Sequence, residues 1–389
     1  MPFLPSRPKL KPARMETPAR EPAHWYHPEL DILRFGAFSM VFIFHAMGGD
    51  FRSRYYSAGA YGVDLFFALS AYLITEILLR EHRTYGSFNI RAFYLRRILR
   101  IWPLYFAFLI LTFLFAQPIF RTEDFPLSAK VMFLLFVGNL SWPLLLRRWM
   151  SKLPWIGAGL LLFGTSYRFL LYLHGPVARP VDTYWKGTFS HLDPIVMGSL
   201  AAFYLRGRIP QLTRIVRLSL GIGGILGILA AGWFGPPYGG RALLTYPAAA
   251  VSCVAILIAV LRPMRPERPR KVRTALIHLG RISYGLYVFH GACLSFSLRL
   301  PLRGSAGLEW FTRRSAGFLL TILVAECSYR VLELPFLRLK DRFSAVKTAP
   351  VTAASKESNL GCDSFFPFSS TSSSPSTGST TDSTCSINS

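Results

Sequence analysis

Arg34 and His45 stand eleven residues apart in the first long apolar stretch of the chain. At about 100° per residue that is three helical turns, so the two side chains share a face, roughly 16 Å apart along the axis. Asp31 lies one turn before Arg34 and can pair with it. A histidine set into an apolar helix can take a proton from a hydroxyl or carry a group on its ring nitrogen. An arginine on the same face can charge or orient such a site. The same residues admit plainer roles. Arg34 can snorkel to the interface beside Asp31, and His45 can hydrogen-bond within a helix contact. Spacing alone leaves both readings open.

Further polar groups recur inside or beside apolar runs. Asp64 sits in Gly62-Val-Asp-Leu-Phe-Phe, and Ser70 follows six residues later. Arg97 and Arg100 are spaced i,i+3 on one face of a helix start, just before Pro103-Leu-Tyr105. Two guanidiniums on one face suit a phosphate-rich ligand; they equally suit a cytoplasmic anchor on lipid phosphates. Asp193 opens Leu192-Asp-Pro-Ile-Val-Met-Gly198, Tyr284 and His290 belong to Ser283-Tyr-Gly-Leu-Tyr-Val-Phe-His290, and Glu333 precedes Leu334-Pro335. Ionisable groups within membrane spans are costly and point to function. His290 and Glu333 are expected to tie neighbouring helices by hydrogen bonds. The five cysteines (Cys253, Cys293, Cys327, Cys362 and Cys385) form no CxxC pair, so no metal site or disulfide framework is expected.

These groups need elements to hold them. Of the 389 residues 51% are hydrophobic and only 16% charged, with mean hydropathy +0.34. That balance excludes a disordered protein, a coiled coil and an ordinary soluble enzyme. A bilayer-spanning helix needs about 20 mostly apolar residues. Ten candidates stand near 30–49, 60–79, 102–120, 130–146, 154–173, 188–205, 216–234, 242–261, 276–298 and 316–336. The fourth is the weakest, because it contains Asn139 and Pro143. The expected fold class is therefore all-α, a polytopic membrane helical bundle of about ten transmembrane helices.

The net charge of +24 would suggest nucleic acid in a soluble protein. Here its distribution matters more. With the N-terminus inside, the inside segments hold 28 Lys and Arg and the outside segments 11. That bias places both termini in the cytoplasm and accounts for the charge without nucleic acid. The start of the chain is basic and Pro-rich with no apolar core directly behind it, unlike a cleavable signal peptide. From Ser369 to Ser389, 15 of 21 residues are Ser or Thr, too polar to bury a core. The expected organisation is a cytoplasmic N-terminal tail over 1–28, a membrane domain over 29–340, and a disordered tail over 341–389.

In order along the chain these segments resemble the acyltransferase 3 family of integral-membrane acyltransferases. The motifs are Leu30-Asp-Ile-Leu-Arg34 with His45, Gly62-Val-Asp-Leu-Phe-Phe with Ser70, and Arg97-x-x-Arg100 before Pro103-Leu-Tyr105. Leu192-Asp193 with Gly198, Ser283-Tyr-Gly-Leu-Tyr287 with His290, and Glu333-x-Pro-Phe336 follow. Each motif is weak alone, and their shared order is specific. The resemblance implies transfer of an acyl group, often acetyl, from cytoplasmic acyl-CoA to a hydroxyl of a carbohydrate, lipid-linked glycan or similar acceptor. His45 is then the key catalytic residue and Arg34 its partner. Arg97 and Arg100 hold the donor phosphates. Asp31, Asp64, Ser70, Tyr105, Asp193, Tyr284, His290 and Glu333 line or support the cavity. Acyl-CoA, with acetyl-CoA the expected donor, enters as co-substrate; no bound cofactor is implied. The expected location is the plasma (inner) membrane, multi-pass.

Two departures stand out. Ser70-Ala71-Tyr72 replaces the family's Ser-Gly-Phe, and Asn139-Leu-Ser-Trp142 runs straight into Pro143-Leu-Leu-Leu-Arg147. The latter stretch lacks the acidic pair and Gln-Phe-Tyr block that the family carries there. That gap bears on catalysis more than on fold. It leaves open an active enzyme with Glu333 or Asp64 as the polar partner, an inactive copy of the family, or a sequence misread at that point. Buried His, Asp and Glu in a ten-span bundle would also suit a transporter or exporter. The Arg97/Arg100 pair distinguishes the two, since a transporter has no use for CoA.

Overall fold

The protein is described by a computed structural model over residues 26–48, 56–87, 89–115, 148–175, 181–185, 187–234, 238–262, 270–301 and 304–341. Among these residues there are helices and turns but no strands. We number the helices α1 (Pro28–Ala46), α2 (Gly62–Tyr85), α3 (Ile90–Phe115), α4 (Leu153–Leu173), α5 (Leu192–Leu205) and α6 (Arg214–Trp233). Then follow α7 (Ala242–Val260), α8 (Lys271–Arg281), α9 (Ser283–Leu298), α10 (Ala306–Ser328) and α11 (Leu334–Asp341).

Among the described residues five segments are long and apolar enough to cross a bilayer: Ser57–Tyr85, Met150–Leu173, Arg214–Trp233, Gly239–Val260 and Ala306–Leu339. Large apolar side chains stand on the outside of these helices, among them Trp155 at 81% exposed and Leu244 at 77%. Surfaces of that kind belong in lipid rather than water.

The ten expected spans translate unevenly. The candidate at 130–146 lies outside the described residues, as do most of 1–28 and nearly all of 341–389. The candidate at 102–120 begins twelve residues early, as α3. Its basic first turns (Arg91, Arg96, Arg97 and Arg100) are helical too, because straight-chain arginines form helix readily. The candidate at 276–298 is not one span. It breaks at Ile282 into α8, an eleven-residue amphipathic helix, and α9. The candidate at 316–336 ends as an α-helix at Ser328 and passes through a π-turn, Tyr329–Glu333, into α11.

α1 is the element about which the site is arranged. It touches α2, α7, α8 and α9. Phe38, Phe42 and Ala46 on one face pack with Ile282, Leu286 and Leu294 of the α9 segment and with Ala325 of α10. On the other face Leu30 joins Leu69, Tyr72, Ala202 and Leu257. α2 lies directly on α5. The approach requires glycine, because a Cβ at Gly198 would stand 2.1 Å from the carbonyl oxygen of Ala68. α8 crosses the start of α1 equally closely, since a Cβ at Gly280 would stand 1.9 Å from the Asp31 carbonyl oxygen.

Candidate active site

His45 is in the last turn of α1, and its ring is exposed. Nδ1 lies 3.0 Å from the Val41 carbonyl oxygen one turn back. A carbonyl can only accept, so Nδ1 carries a proton, and in the neutral ring the lone pair is then on Nε2. The end of α1 is held from α10. Arg314 Nε donates to the Ala46 carbonyl oxygen at 2.7 Å, and the guanidinium lies over the Trp310 ring at 4.3 Å. The cation thus satisfies an orphan carbonyl at the negative end of the helix.

Beside His45 stands His290 of α9. The two rings are 5.0 Å apart, centroid to centroid, at 70°. His290 Nδ1 is 2.6 Å from the Tyr287 carbonyl oxygen, which fixes the same tautomer. Phe38 meets the His290 ring edge-on at 6.3 Å and stacks on Phe318 of α10. Tyr287 lies 5.5 Å from His290 and 5.9 Å from Phe66 of α2. The expectation that His290 ties two helices by hydrogen bonding is not what the structure shows. Its hydrogen bond stays within α9, and its contacts with α1 are ring contacts.

At the other end of α1 the charges gather. Asp31 is buried and accepts from Arg34 at 2.5 Å, the pairing expected from their spacing. Its second oxygen accepts from the Tyr26 hydroxyl at 2.7 Å, and Arg281 of α8 donates to that hydroxyl at 3.0 Å. Burial, with the Asp31 charge adding to it, pushes the Tyr26 phenol up to about 12, so Tyr26 stays a donor at any ordinary pH. Arg97 and Arg100 project from α3 into the same region, where Arg34 repels both. Neither has a carboxylate within ion-pair distance among the described residues; Arg97 lies over Phe93 at 5.6 Å. Asp31 pairs with Arg34 at 2.5 Å and with Arg281 at 4.0 Å, which leaves Arg97 and Arg100 without a close carboxylate, the excess of positive charge that an anion site needs.

Glu333 is buried at the end of the π-turn, and its Oε1 has no hydrogen-bond partner among the described residues. It sits 3.3 Å from where a Cβ on Gly285 would be and within the field of Arg100. Here too the expected interhelical hydrogen bond is not made. Tyr284 instead straps α9 to α3, its hydroxyl donating to the Ile101 carbonyl oxygen at 3.3 Å. Tyr105 is half-buried against Phe106, and Ser70 is exposed on α2.

Asp64 and Asp193 belong to a buried ion-pair network. Asp64 Oδ1 accepts from His191 Nδ1 at 2.7 Å, and His191 Nε2 donates to the Trp185 carbonyl oxygen at 2.7 Å. Both ring nitrogens face acceptors, so His191 is an imidazolium here. Asp193 takes both ends of the Arg168 guanidinium, at 2.5 and 3.2 Å, and Arg168 lies over the Tyr246 ring at 5.1 Å. Neither His191 nor Arg168 stands out in the sequence. Their signal is an unpaired charge inside an apolar segment opposite an acidic one, and only the fold supplies the pairing. Arg281 is hidden in the same way, as one basic residue among several in α8. Among the described residues no group of His, Cys, Asp and Glu could hold a metal ion.

Comparison with known proteins agrees with the family resemblance. A "Putative O-acetyltransferase" of Staphylococcus aureus strain MSSA476 is 25% identical over 366 residues, covering 80% of this chain and 57% of the relative. A "Putative peptidoglycan O-acetyltransferase" of Bacillus subtilis strain 168 is 40% identical over 80 residues, 21% of this chain and 12% of the relative. An O-acetyltransferase of S. aureus strain NCTC 8325 is 36% identical over 90 residues, 23% of this chain and 14% of the relative. The chain thus spans a little over half the length of the longest-matching of these relatives. No solved structure matches it. The family profile described as an acyltransferase domain matches residues 27–329, the whole stretch from the Asp31 cluster through α10, and the chain belongs to the acyltransferase 3 family of membrane proteins.

Proposed function

We propose that this protein is a multi-pass O-acyltransferase of the plasma membrane. It takes an acyl group, acetyl by preference, from acyl-CoA on the cytoplasmic side and delivers it to a hydroxyl of a carbohydrate or lipid-linked glycan. The observation that carries the reading is the arrangement along α1. Arg34 stands with Arg97 and Arg100 at one end, and the exposed His45 ring stands about 16 Å away at the other. Phosphates held by the arginines would place a thioester, at the end of an extended pantetheine arm, near the histidine. Nε2 of His45 can there take the acceptor proton or accept the acyl group. The relatives' names support an O-acetyl product and, in one case, a peptidoglycan acceptor.

Membranes carrying the protein, incubated with radiolabelled acetyl-CoA, should pass label to a glycan or lipid-linked sugar fraction. His45→Ala should abolish that transfer while still inserting into the membrane. Arg97→Ala with Arg100→Ala should weaken acetyl-CoA binding by about 10- to 100-fold, the loss of one or two charge-assisted hydrogen bonds. Transfer undiminished in His45→Ala would sink the reading. Indifference to CoA would instead favour a transporter.

A further inference from the structure

His45 has one nitrogen to offer and two tasks to perform. Its Nδ1 proton is committed to the Val41 carbonyl oxygen at 3.0 Å. If Nε2 carries the acyl group, the ring has no lone pair left for the proton of the incoming hydroxyl. Another base must then stand close by. His290 is that group by position. Its ring centroid is 5.0 Å from that of His45, and its own Nδ1 proton is committed to the Tyr287 carbonyl oxygen at 2.6 Å, so its free lone pair is on Nε2 as well. With both Nδ1 atoms committed to backbone carbonyls, two imidazoles on facing helices can act in their neutral form as nucleophile and base rather than as a hydrogen-bonded couple. Phe38, itself stacked on Phe318, meets the His290 ring edge-on at 6.3 Å and Tyr287 lies 5.5 Å from it, so the ring's place is fixed.

We propose that the two histidines divide the reaction, His45 carrying the acyl group and His290 carrying the proton; the inference rests on the function proposed above. In the first step His45 Nε2 bonds to the thioester carbonyl carbon and the carbon–sulfur bond breaks. CoA leaves as the thiolate, and His45 becomes an N-acylimidazolium, charged because Nδ1 keeps its proton. In the second step the acceptor hydroxyl oxygen bonds to the same carbonyl carbon, its proton passes to His290 Nε2, and the carbon–nitrogen bond breaks. His45 returns neutral. His290, now an imidazolium, loses its proton to the CoA thiolate or to water. The net change is one ester formed, one thioester cleaved and one proton moved from hydroxyl to thiol.

Hydroxylamine separates the two roles. It attacks acylimidazoles as a free amine at neutral pH and needs no base, whereas a sugar hydroxyl does. The purified full chain in detergent is given labelled acetyl-CoA with either N-acetylglucosamine oligomers or hydroxylamine as acceptor. His290→Gln should lower transfer to the oligomer by about 10²- to 10⁴-fold, the usual contribution of a general base. It should leave formation of acetylhydroxamate within a few-fold of wild type. His45→Ala should lose both. Free imidazole added to His290→Ala should restore part of the oligomer reaction. Equal loss of both acceptors in His290→Gln and His290→Asn, or full activity on both, overturns the proposal. Failure of the wild-type chain to label either acceptor would instead count against the acyltransferase reading itself.

Discussion

The Arg168–Asp193 pair shows how a single residue can be costly and still retained. Both side chains are fully or almost fully buried, and the arginine has four polar contacts besides the Tyr246 ring. Removing one partner leaves a bare charge in an apolar interior, which costs about 3–5 kcal/mol, whereas apolar replacement of both is often neutral. Asp193→Ala should therefore lower the thermal unfolding temperature in detergent sharply. Arg168→Met combined with Asp193→Leu should recover most of the loss. If the double variant is as unstable as the single, the pair does more than neutralise itself. Tyr26 makes a second case at this scale. Its phenol ionises near 10 in the unfolded chain and near 12 in the folded one. Between those values the folded state binds the extra proton, so stability is fully present below pH 10 and falls as pH rises through this window. Tyr26→Phe should flatten that alkaline slope in a pH series of unfolding midpoints.

The elements explain what sequence reading can and cannot reach. α1 is legible from end to end, because Arg34, His45 and Asp31 are placed by helix geometry alone and the fold keeps all three relations. The break between α8 and α9 is not legible. Residues 276–298 are apolar enough to read as one span, and the reason for the break is tertiary: Gly280 lies against the Asp31 backbone, and the chain must turn at Ile282 to bring His290 back to α1. Partners separated by more than 100 residues, such as Asp64 with His191 or Tyr26 with Arg281, lie beyond any local pattern. The α8 crossing makes a prediction of its own. Gly280→Ala places a methyl 1.9 Å from the Asp31 carbonyl oxygen, where backbone rather than a flexible side chain must yield. Overpacking of this kind costs about 1–3 kcal/mol. It should also displace Asp31, so acetyl-CoA binding should weaken in Gly280→Ala even in the fraction that remains folded, measured by calorimetry on the monodisperse peak.

For the molecule as a whole, the direction of α1 through the membrane decides which face meets the donor. Lys and Arg divide 28 to 11 between the two sides when the N-terminus is cytoplasmic. Short loops so biased set orientation. Under the function proposed above, that orientation would turn Arg34, Arg97, Arg100 and Arg281 toward the cytoplasmic donor and His45 and His290 toward the opposite leaflet, nearer the proposed glycan acceptor. The reverse orientation would put the anion site where no acyl-CoA exists, so topology and mechanism stand together. Two loops test this without disturbing the site. Arg208, between α5 and α6, should report cytoplasmic, and Arg241, at the start of α7, should report the outside. A cysteine introduced at 241 should react with a membrane-impermeant maleimide in intact cells, and one at 208 only after permeabilisation. The opposite labelling would invert the bundle, separate the arginines from their donor and remove the physical basis for acyl-CoA binding at α1 and α3.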